Sequence, residues 1–509
     1  MAAPSDKQLP DVCLLCEGTY PYISGGVSSW VHDIIKGEPH VTFSILNIGS
    51  HEGWHGDLRF KLPDNVVGLE ELFCHNAPPT PMDGPQRAAL ERAIRRFRKK
   101  SGRRKSPSRL LRALRRIHLE DGVDDDLMAD LASGDLSISE LLYDDASFEL
   151  VEEMAEKLAP KTPFGDLFWQ CRAMNLPVVR LLTASTSPAR SYHSLSAGYA
   201  GLFGAVQGFK QKVPFLITEH GIYSRERDIE LARADWIPDR RALDDLGSRV
   251  PTFSPLRRMW SRFFRRLSQI AYHQAVKIVT LSEANRDKLL ADGAPREKTM
   301  VVPNGVELKP PPELPPLGTN PPPLRIGFVG RVVPIKDVLT FIRACDMALR
   351  EVDLDIRVIG PDEEDPQYAA RCRELARTLG REKEIKFIGM QPAGQIYNQI
   401  ELLTLTSFSE GQPLVILEAY ASGVPVICTD VGCCRELIEG GPGEDRELGP
   451  SGIVTRVAVP QDTARALVAL ARDRERVRRC GVAAHQRVAL RYARSAMLDS
   501  YRELYEEIT

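Results

Sequence analysis

Residues 407–430 read SFSEGQPLVILEAYASGVPVICTD, a passage in which the hydrophobic pattern changes period twice. An apolar strand pattern over Leu402 to Phe408 ends at Glu410, Gly411 to Pro413 supply a turn, and Leu414 to Ser422 fit a short helix. Gly423 stops that helix, and a second apolar run, Val424 to Cys428, follows. Short apolar runs bounded by turn formers read as strands, so strand, turn, helix and strand make one parallel βαβ unit. The first N–H groups of a helix lack intrahelical acceptors and carry partial positive charge, so the start at Leu414 suits phosphate. One carboxylate, Glu410, stands at the turn and another, Glu418, inside the helix. Carboxylates accept hydrogen bonds from hydroxyls. A ligand bearing both phosphate and hydroxyls, of which a nucleotide sugar is the simplest, satisfies both sets of groups.

The same alternation extends outward from this passage. Strand patterns recur at Arg325 to Gly330, Asp355 to Gly360, Ile385 to Gly389 and, weakly, Gly452 to Thr455, with helical patterns such as Asp337 to Arg350 and Tyr368 to Leu379 between them. Such alternation predicts a parallel sheet covered on both faces. If its strands take the order 3-2-1-4-5-6, the first and fourth are neighbours at the point where order reverses, the crevice in which open α/β sheets hold ligands. The loop after the first strand, GRVVPIKD, brings Arg331 and Lys336 there; the loop after the fourth brings Glu410 and the helix start. The two cations suit a diphosphate whose negative charge grows as it departs, and the backbone N–H groups of Leu414 and Val415 add to them. Glu418 suits ribose hydroxyls and Glu410 those of a transferred sugar. Each charge taken singly is ordinary at a surface or a helix start. Their convergence from distant segments makes the pattern specific.

Glu307 to Pro323 (ELKPPPELPPLGTNPPP) is too rich in proline for helix or sheet and reads as a stiff linker. It divides the chain into residues 1–306 and 324–490, followed by a last helical segment, 491–509. A length of 509 residues also favours two domains over one core. The first part shows strand patterns at Asp11 to Cys16, Val41 to Asn47, Val178 to Leu182, Phe215 to Thr218 and Ile278 to Leu281. A charged helical insertion, about 78–163, interrupts it, basic over Arg95 to Arg116 and acidic over Asp121 to Asp145. Its solvated faces neutralise one another on the simpler reading; the sharper one makes it a dock for a protein or an anionic bilayer. Arg257 to Arg266, RRMWSRFFRR, reads as a half-buried helix with its cations in water.

Composition narrows the function classes. A net charge of −2 gives no case for nucleic-acid binding. The start, MAAPSDKQLPDVCLLC, lacks a basic stretch before a long apolar core, so no secretory signal is expected, and no run reaches the roughly 18 apolar residues of a membrane span. The ten cysteines are scattered, mostly through apolar patterns, and the one CxxC, Cys13 to Cys16, has no second pair or nearby histidine to complete a zinc site, as fits a reducing cytoplasm.

Two further features belong to the first part. In EGTYPYISGGVSSWVHDIIK, Gly25 and Gly26 precede a helix start near Val27, where backbone approaches an anion closely. A Gly-Gly pair alone is usually just a turn. His220 follows the strand Phe215 to Thr218 and so is expected at the interdomain cleft, while His193 reads more readily as structural. The Asp-x-Asp pairs at Asp353/Asp355 and Asp124/Asp126 fall away from the crevice, so no metal is expected. Val329-Gly330-Arg331 lacks the GxGxxG fingerprint of nicotinamide binding.

Together these residues resemble the family-4 retaining glycosyltransferases of GT-B fold. The resemblance rests on the E-x7-E motif (Glu410, Glu418), the G-R-x4-K loop (Gly330, Arg331, Lys336), the VPNGVE run ending at Glu307 and the early Gly-Gly pair, in order and spacing. It covers most of the chain outside the insertion. It implies two Rossmann-like doubly wound domains facing across a cleft, the first on the acceptor side and the second holding a UDP-sugar. The last helix, Ala493 to Ile508, would cross back to the first domain. His220 matches the family's histidine beside the donor sugar, and the backbone at Met390 matches the loop that holds the base. The implied reaction moves a hexose or N-acetylhexosamine onto a growing polysaccharide with retention, without metal or other cofactor. The implied partners are membrane-embedded synthase or export subunits, met from the cytoplasm by peripheral contact with the inner membrane. Two rivals share parts of the pattern: a UDP-sugar 2-epimerase, which does not normally carry E-x7-E, and a non-catalytic nucleotide-sugar-binding subunit. One departure stands out. Many relatives read EGFGL where this chain reads Glu410-Gly411-Gln412-Pro413-Leu414, and Pro413 has no N–H to offer a phosphate.

Overall fold

The structure is a computed structural model that describes residues 9–53, 55–75, 107–238, 253–310, 322–441 and 443–509. Its chain gathers into two compact units. The first comprises Met1–Thr280, Arg286–Met300 and Arg502–Thr509; the second comprises Leu281–Asn285 and Val301–Tyr501. The proline-rich residues 311–321 lie outside the described residues.

The first unit is built on a seven-stranded sheet. In chain order its strands are β1 (Val12–Glu17), β2 (Phe43–His51), β3 (Val66–His75), β4 (Ser191–Ser194), β5 (Phe215–Glu219), β6 (Lys277–Thr280) and β7 (Thr299–Val301), arranged β3-β2-β1-β4-β5-β6-β7. The registers along β3 to β6 are all parallel. β1 is buried on both faces, as a central parallel strand must be.

Three expectations for this unit need correction. Val178 to Leu182 is no strand; it finishes a 20-residue helix, Phe164–Thr183, that runs through Pro177. Cys171, Met174, Val178, Leu181 and Leu182 are buried at helical spacing, and a short apolar run by itself does not distinguish the two periods. The insertion is not simply solvated. Its described part forms helices Arg109–Leu119, Asp125–Leu131, Ile138–Tyr143 and Asp145–Leu158, whose Leu110, Leu114, Ile117, Leu127 and Met128 belong to the main core of the unit. Its opposite charges do neutralise each other, as ion pairs Arg116–Asp124 (2.7 Å), Arg115–Glu153 (2.7 Å) and Arg109–Asp130 (2.9 Å). Residues 78–106 lie outside the described residues. Finally, helix Pro255–Gln274 buries not only Met259, Trp260, Phe263 and Phe264 but also Arg257 and Arg266. Their guanidinium groups donate to the carbonyls of Ala234 and Gly122 at 2.7 and 2.6 Å.

The second unit holds a six-stranded sheet: β8 (Leu324–Val329), β9 (Leu354–Ile359), β10 (Ile385–Gly389), β11 (Leu402–Leu405), β12 (Val426–Thr429) and β13 (Gly452–Thr455). The order is β10-β9-β8-β11-β12-β13, which is 3-2-1-4-5-6 counted from β8, and its registers are parallel throughout. The reversal expected from the sequence therefore falls between β8 and β11. One apolar cluster covers each face, around Phe328, Phe341 and Ile356 on one and Leu403, Ile416 and Tyr420 on the other. Helix Arg494–Ile508 ends the chain, and its residues from Arg502 onward cluster with the first unit.

Arg487 is the largest side chain wholly buried. It donates to Asp445 Oδ1 at 2.6 Å and to the carbonyls of Ile438, Asp445 and Gly449, pinning residues 438–449 beside β13. Breaking a buried ion pair costs about 3–5 kcal/mol, and here the lower end applies because Arg491 Nη1 also reaches Asp445 Oδ2 at 3.2 Å. Arg487→Ala should lower the stability of the second unit by about that amount in urea titration. A loss below about 1 kcal/mol would mean that Arg491 alone suffices for Asp445.

Candidate functional site

The candidate site grows from the carboxyl edge of the second sheet. Gly330 donates its N–H to Ile359 O, and Gly360 donates to Gly389 O, so the ends of β8, β9 and β10 are laced together by backbone. Gly360 has φ +146°, and a Cβ there would lie 2.1 Å from Gly330 O. Only glycine allows that approach.

The loop after β8 makes a tight turn at Pro334–Lys336 and enters helix Val338–Ala348, which Asp337 caps by accepting the Thr340 N–H at 3.2 Å. The loop after β11 lies against it. Phe408 N–H donates to Ile335 O at 2.8 Å, and the buried Thr406 hydroxyl reaches the carbonyls of Asp337 (2.9 Å) and Lys336 (3.2 Å). These bonds place Lys336 Nζ 2.5 Å from Glu410 Oε1, and Ser407 Oγ donates to the same oxygen at 2.6 Å. Lys336 is 18% exposed and Glu410 10%. From the other side, a Cβ on Gly432 (φ +56°) would fall 2.2 Å from Glu410 O, and Cys433 N–H donates to Gly411 O at 3.1 Å. The turn carrying Glu410 is therefore held on two flanks.

Pro413 precedes helix Leu414–Ala421, so the first N–H groups facing outward are those of Leu414 and Val415. Glu418 lies one helical turn beyond Leu414. Tyr397 Oη donates to its Oε2 at 2.7 Å, and burial raises the Glu418 carboxyl above the usual range. Arg331 lies in the same edge region, but its guanidinium is paired with Glu364, in the loop after β9, at 2.7 Å. Met390 follows Gly389 directly and is 65% exposed. Lys336, Glu410, Glu418 and the helix start thus share one edge, with Arg331 turned toward a neighbouring loop.

The first unit has its own candidate residues. Helix Gly26–Gly37 starts one residue earlier than expected, and a Cβ on Gly25 would meet nothing within 4 Å. His220 follows β5, its ring edge-on to Trp30 at 4.6 Å. Burial lowers it to about 4, and its Nε2 is buried without a hydrogen-bond partner. His193 is structural: its two nitrogens pair with Tyr505 Oη and Thr218 Oγ1, each at 2.9 Å, and burial lowers it to about 3.

Several residues had no signal in the sequence. Thr406 and Gln412 are buried polar side chains whose partners lie in other segments, and the buried Ser407 donates to Glu410 within its own loop. Glu219 stands beside His220 and is 1% exposed; it accepts from Tyr272 Oη at 2.7 Å, and burial raises it to about 8. Only its place at the end of a strand could have drawn notice.

With this geometry in hand, comparison with known proteins is informative. A family described as "Domain of unknown function (DUF3492)" matches residues 10–297, and "Glycosyl transferases group 1" matches residues 323–473. A D-inositol 3-phosphate glycosyltransferase of Nocardia farcinica is 32% identical over 240 residues, 44% of this chain and 51% of the relative. One of Corynebacterium glutamicum is 35% identical over 117 residues, 21% of this chain and 27% of the relative. The chain thus spans about half the length, or less, of these curated relatives. Among solved structures, Anabaena HepE in complex with UDP and glucose matches at a TM-score of 0.56 and 15% identity, over 98% of this chain and 99% of that one. Sucrose-phosphate synthase from Thermosynechococcus elongatus matches at 0.55 and 13%, over 97% and 98%. At such identities the likeness is one of fold: two Rossmann-like parallel sheets in the GT-B arrangement of elements.

The buried histidines give the first unit a definite acid response. His118 and His220 are lowered to about 4 and His193 to about 3, each chiefly by burial. The unfolded chain binds these protons near pH 6.5 and the folded one does not, so stability falls as pH drops from about 6.5 toward 4. Calorimetric scans at pH 7 and 4.5 should show a lower midpoint at 4.5, with a smaller difference in His193→Gln. Equal pH dependence in parent and variant would refute the assignment for His193.

Proposed function

The chain belongs to the DUF3492 family and carries a group 1 glycosyl transferase domain, and from that premise we propose that it transfers a sugar from a nucleotide donor bound at the carboxyl edge of β8 and β11. One observation carries the reading. Lys336 and Glu410 meet at 2.5 Å, from loops 74 positions apart, beside an outward-facing helix start. That edge presents a cation for a leaving phosphate, a carboxylate for sugar hydroxyls and N–H groups for phosphate oxygens.

In this proposal Lys336, joined by Arg331 once it leaves Glu364, stabilises the departing diphosphate. Leu414 and Val415 N–H groups bind its oxygens, Glu418 accepts from the ribose, and the Met390 backbone holds the base. Glu410 orients the transferred sugar. In the first unit, Gly25, Gly26 and His220 are the proposed substrate-binding residues, His220 as a neutral donor or acceptor at its unpartnered Nε2. The bond from the anomeric carbon to phosphate breaks, a bond to an acceptor hydroxyl forms on the same face, and the leaving phosphate oxygen takes the hydroxyl proton. Configuration is retained, no enzymic nucleophile is consumed, and the residues above supply the positive charge, so the proposal includes no metal or other cofactor.

The donor is proposed to be a UDP-hexose or UDP-N-acetylhexosamine. The fold relative HepE was solved with UDP and glucose, which supports that choice. The acceptor is proposed to be a growing exopolysaccharide. The phrases TYPYISGGVSSWVHDIIK and ITEHGIYSRER resemble the cytoplasmic glycosyltransferase of Pel exopolysaccharide synthesis. Among the described residues no helix is long and apolar enough to cross a membrane. The proposed partners for a polysaccharide product are membrane-embedded synthase or export subunits, met at the cytoplasmic face of the inner membrane.

Lys336→Ala should lower turnover by about 10²–10³, the loss typical of one transition-state donor, while leaving the fold intact. The measurement is UDP release from a panel of UDP-hexoses and UDP-N-acetylhexosamines with polysaccharide acceptor. Unchanged turnover would defeat the leaving-group assignment. An epimerised UDP-sugar formed without acceptor would defeat transfer itself.

A further inference from the structure

Gln412 sits in the turn between Glu410 and the helix at Leu414, and it is 6% exposed. Its Oε1 accepts the Asn304 N–H at 2.6 Å, its Nε2 donates to Leu281 O at 3.3 Å, and its own carbonyl accepts from Asn304 Nδ2 at 3.3 Å. All three residues belong to the second unit. Leu281 is the first residue of that unit's segment Leu281–Asn285, and Asn304 lies just beyond Val301, where the chain returns to it. The Asn304 segment is secured further along. Gly305 N–H donates to Met497 Sδ at 3.2 Å, Val306 N–H to Tyr492 O at 2.9 Å, and Arg494 N–H to Val306 O at 2.9 Å. A Cβ on Gly305 would lie 2.6 Å from Arg494 Cα. The VPNGVE run thus forms a strap, fixed at one end to residues 492–497 and at the other to the turn that carries Glu410.

We infer that Gln412 is a positioning residue, which fixes the Glu410 turn to the strap at 303–306 and to Leu281. The inference deepens the proposed donor site and rests on that reading for its catalytic consequence. Gln412 alone in that turn offers both a donor and an acceptor at the required reach. Helix Leu414–Ala421 does not depend on it, because Ile416, Leu417, Ala419 and Tyr420 anchor that helix in the core. The Glu410 turn is therefore the element that Gln412 governs. The Tyr397–Glu418 pair and the helix start keep their own supports.

The test uses the full chain and two variants. Amide hydrogen exchange without ligand should show Gln412→Ala exchanging about tenfold faster at 303–306 and at 409–412 together, with 414–421 unchanged. Faster exchange in only one of the two segments, or in neither, overturns the link. In turnover assays Gln412→Ala should lose about tenfold or more in kcat, while UDP titrated alone binds within about threefold of the parent, since a small misplacement of a reacting group is costly to rate. Gln412→Glu should recover kcat toward low pH, where a protonated carboxyl both accepts from Asn304 N–H and donates to Leu281 O. A kcat for Gln412→Ala within about threefold of the parent, or UDP binding lost in step with kcat, overturns the positioning role. A parent protein that releases no UDP from any UDP-sugar overturns the transferase reading instead, and the exchange result then decides this inference alone.

Discussion

Parallel pairing of β8 with β11 is the constraint from which the candidate site follows. Where strand order reverses, the two loops leaving adjacent strands run to opposite faces and open a crevice between them. Phe408 and Thr406 close the base of that crevice by bonding to Ile335, Lys336 and Asp337. Lys336 and Glu410 are what remains above it. An unpaired ammonium or carboxylate would be costly at such low exposure, and here each ion is the other's partner. On the proposed reading, a donor exchanges this one pair for two contacts, phosphate with Lys336 and sugar hydroxyl with Glu410. Binding then never requires either charge to be desolvated bare.

The second unit was almost fully legible in the sequence because Leu, Ile, Val and Phe dominate its parallel strands, which end in glycine or turn residues. Gly330, Gly360 and Gly389 mark the ends of three neighbouring strands, and the backbone contacts there explain why. The first unit was less legible for equally physical reasons. β4 reads Ser191-Tyr192-His193-Ser194, a polar run wholly buried because its side chains find partners in Asp11 just before β1, in β5 and in the last helix. No periodicity announces such a strand. The charged insertion looked solvated because its arginines and acids dominate composition, while the apolar stripe that docks it, Leu110, Leu114 and Ile117, takes one position in each helical turn.

The site divides in the same way. Lys336, Glu410 and Glu418 could be found because their spacing follows from one fold topology. Thr406 and Tyr397 could not, since each acts through a hydrogen bond to a residue distant in sequence, and Ser407 is an ordinary loop serine until its bond to Glu410, three residues on, is seen. Arg331 shows the limit of spacing as a guide. Its backbone stands where expected, yet its long side chain reaches Glu364 across the neighbouring loop. An exposed arginine of this kind is worth little where it rests, so a polyanion could recruit it at small cost.

The departure at residues 412–413 joins these threads. Proline removes one N–H from the turn, so on the proposed reading phosphate contacts begin at Leu414 and not before it. Its fixed φ also stiffens the approach to the helix, which shortens the stretch that must be held in place to Glu410, Gly411 and Gln412. Gly432 blocks that stretch on one flank by backbone contact, and Gln412 ties it on the other to a strap distant in sequence. A phenylalanine and glycine at these positions, as in many relatives, would offer neither the tie nor the stiffness. The turn in this chain is therefore held by its own mechanical means, which on the proposed reading keep the Glu410 carboxylate fixed beside the donor sugar.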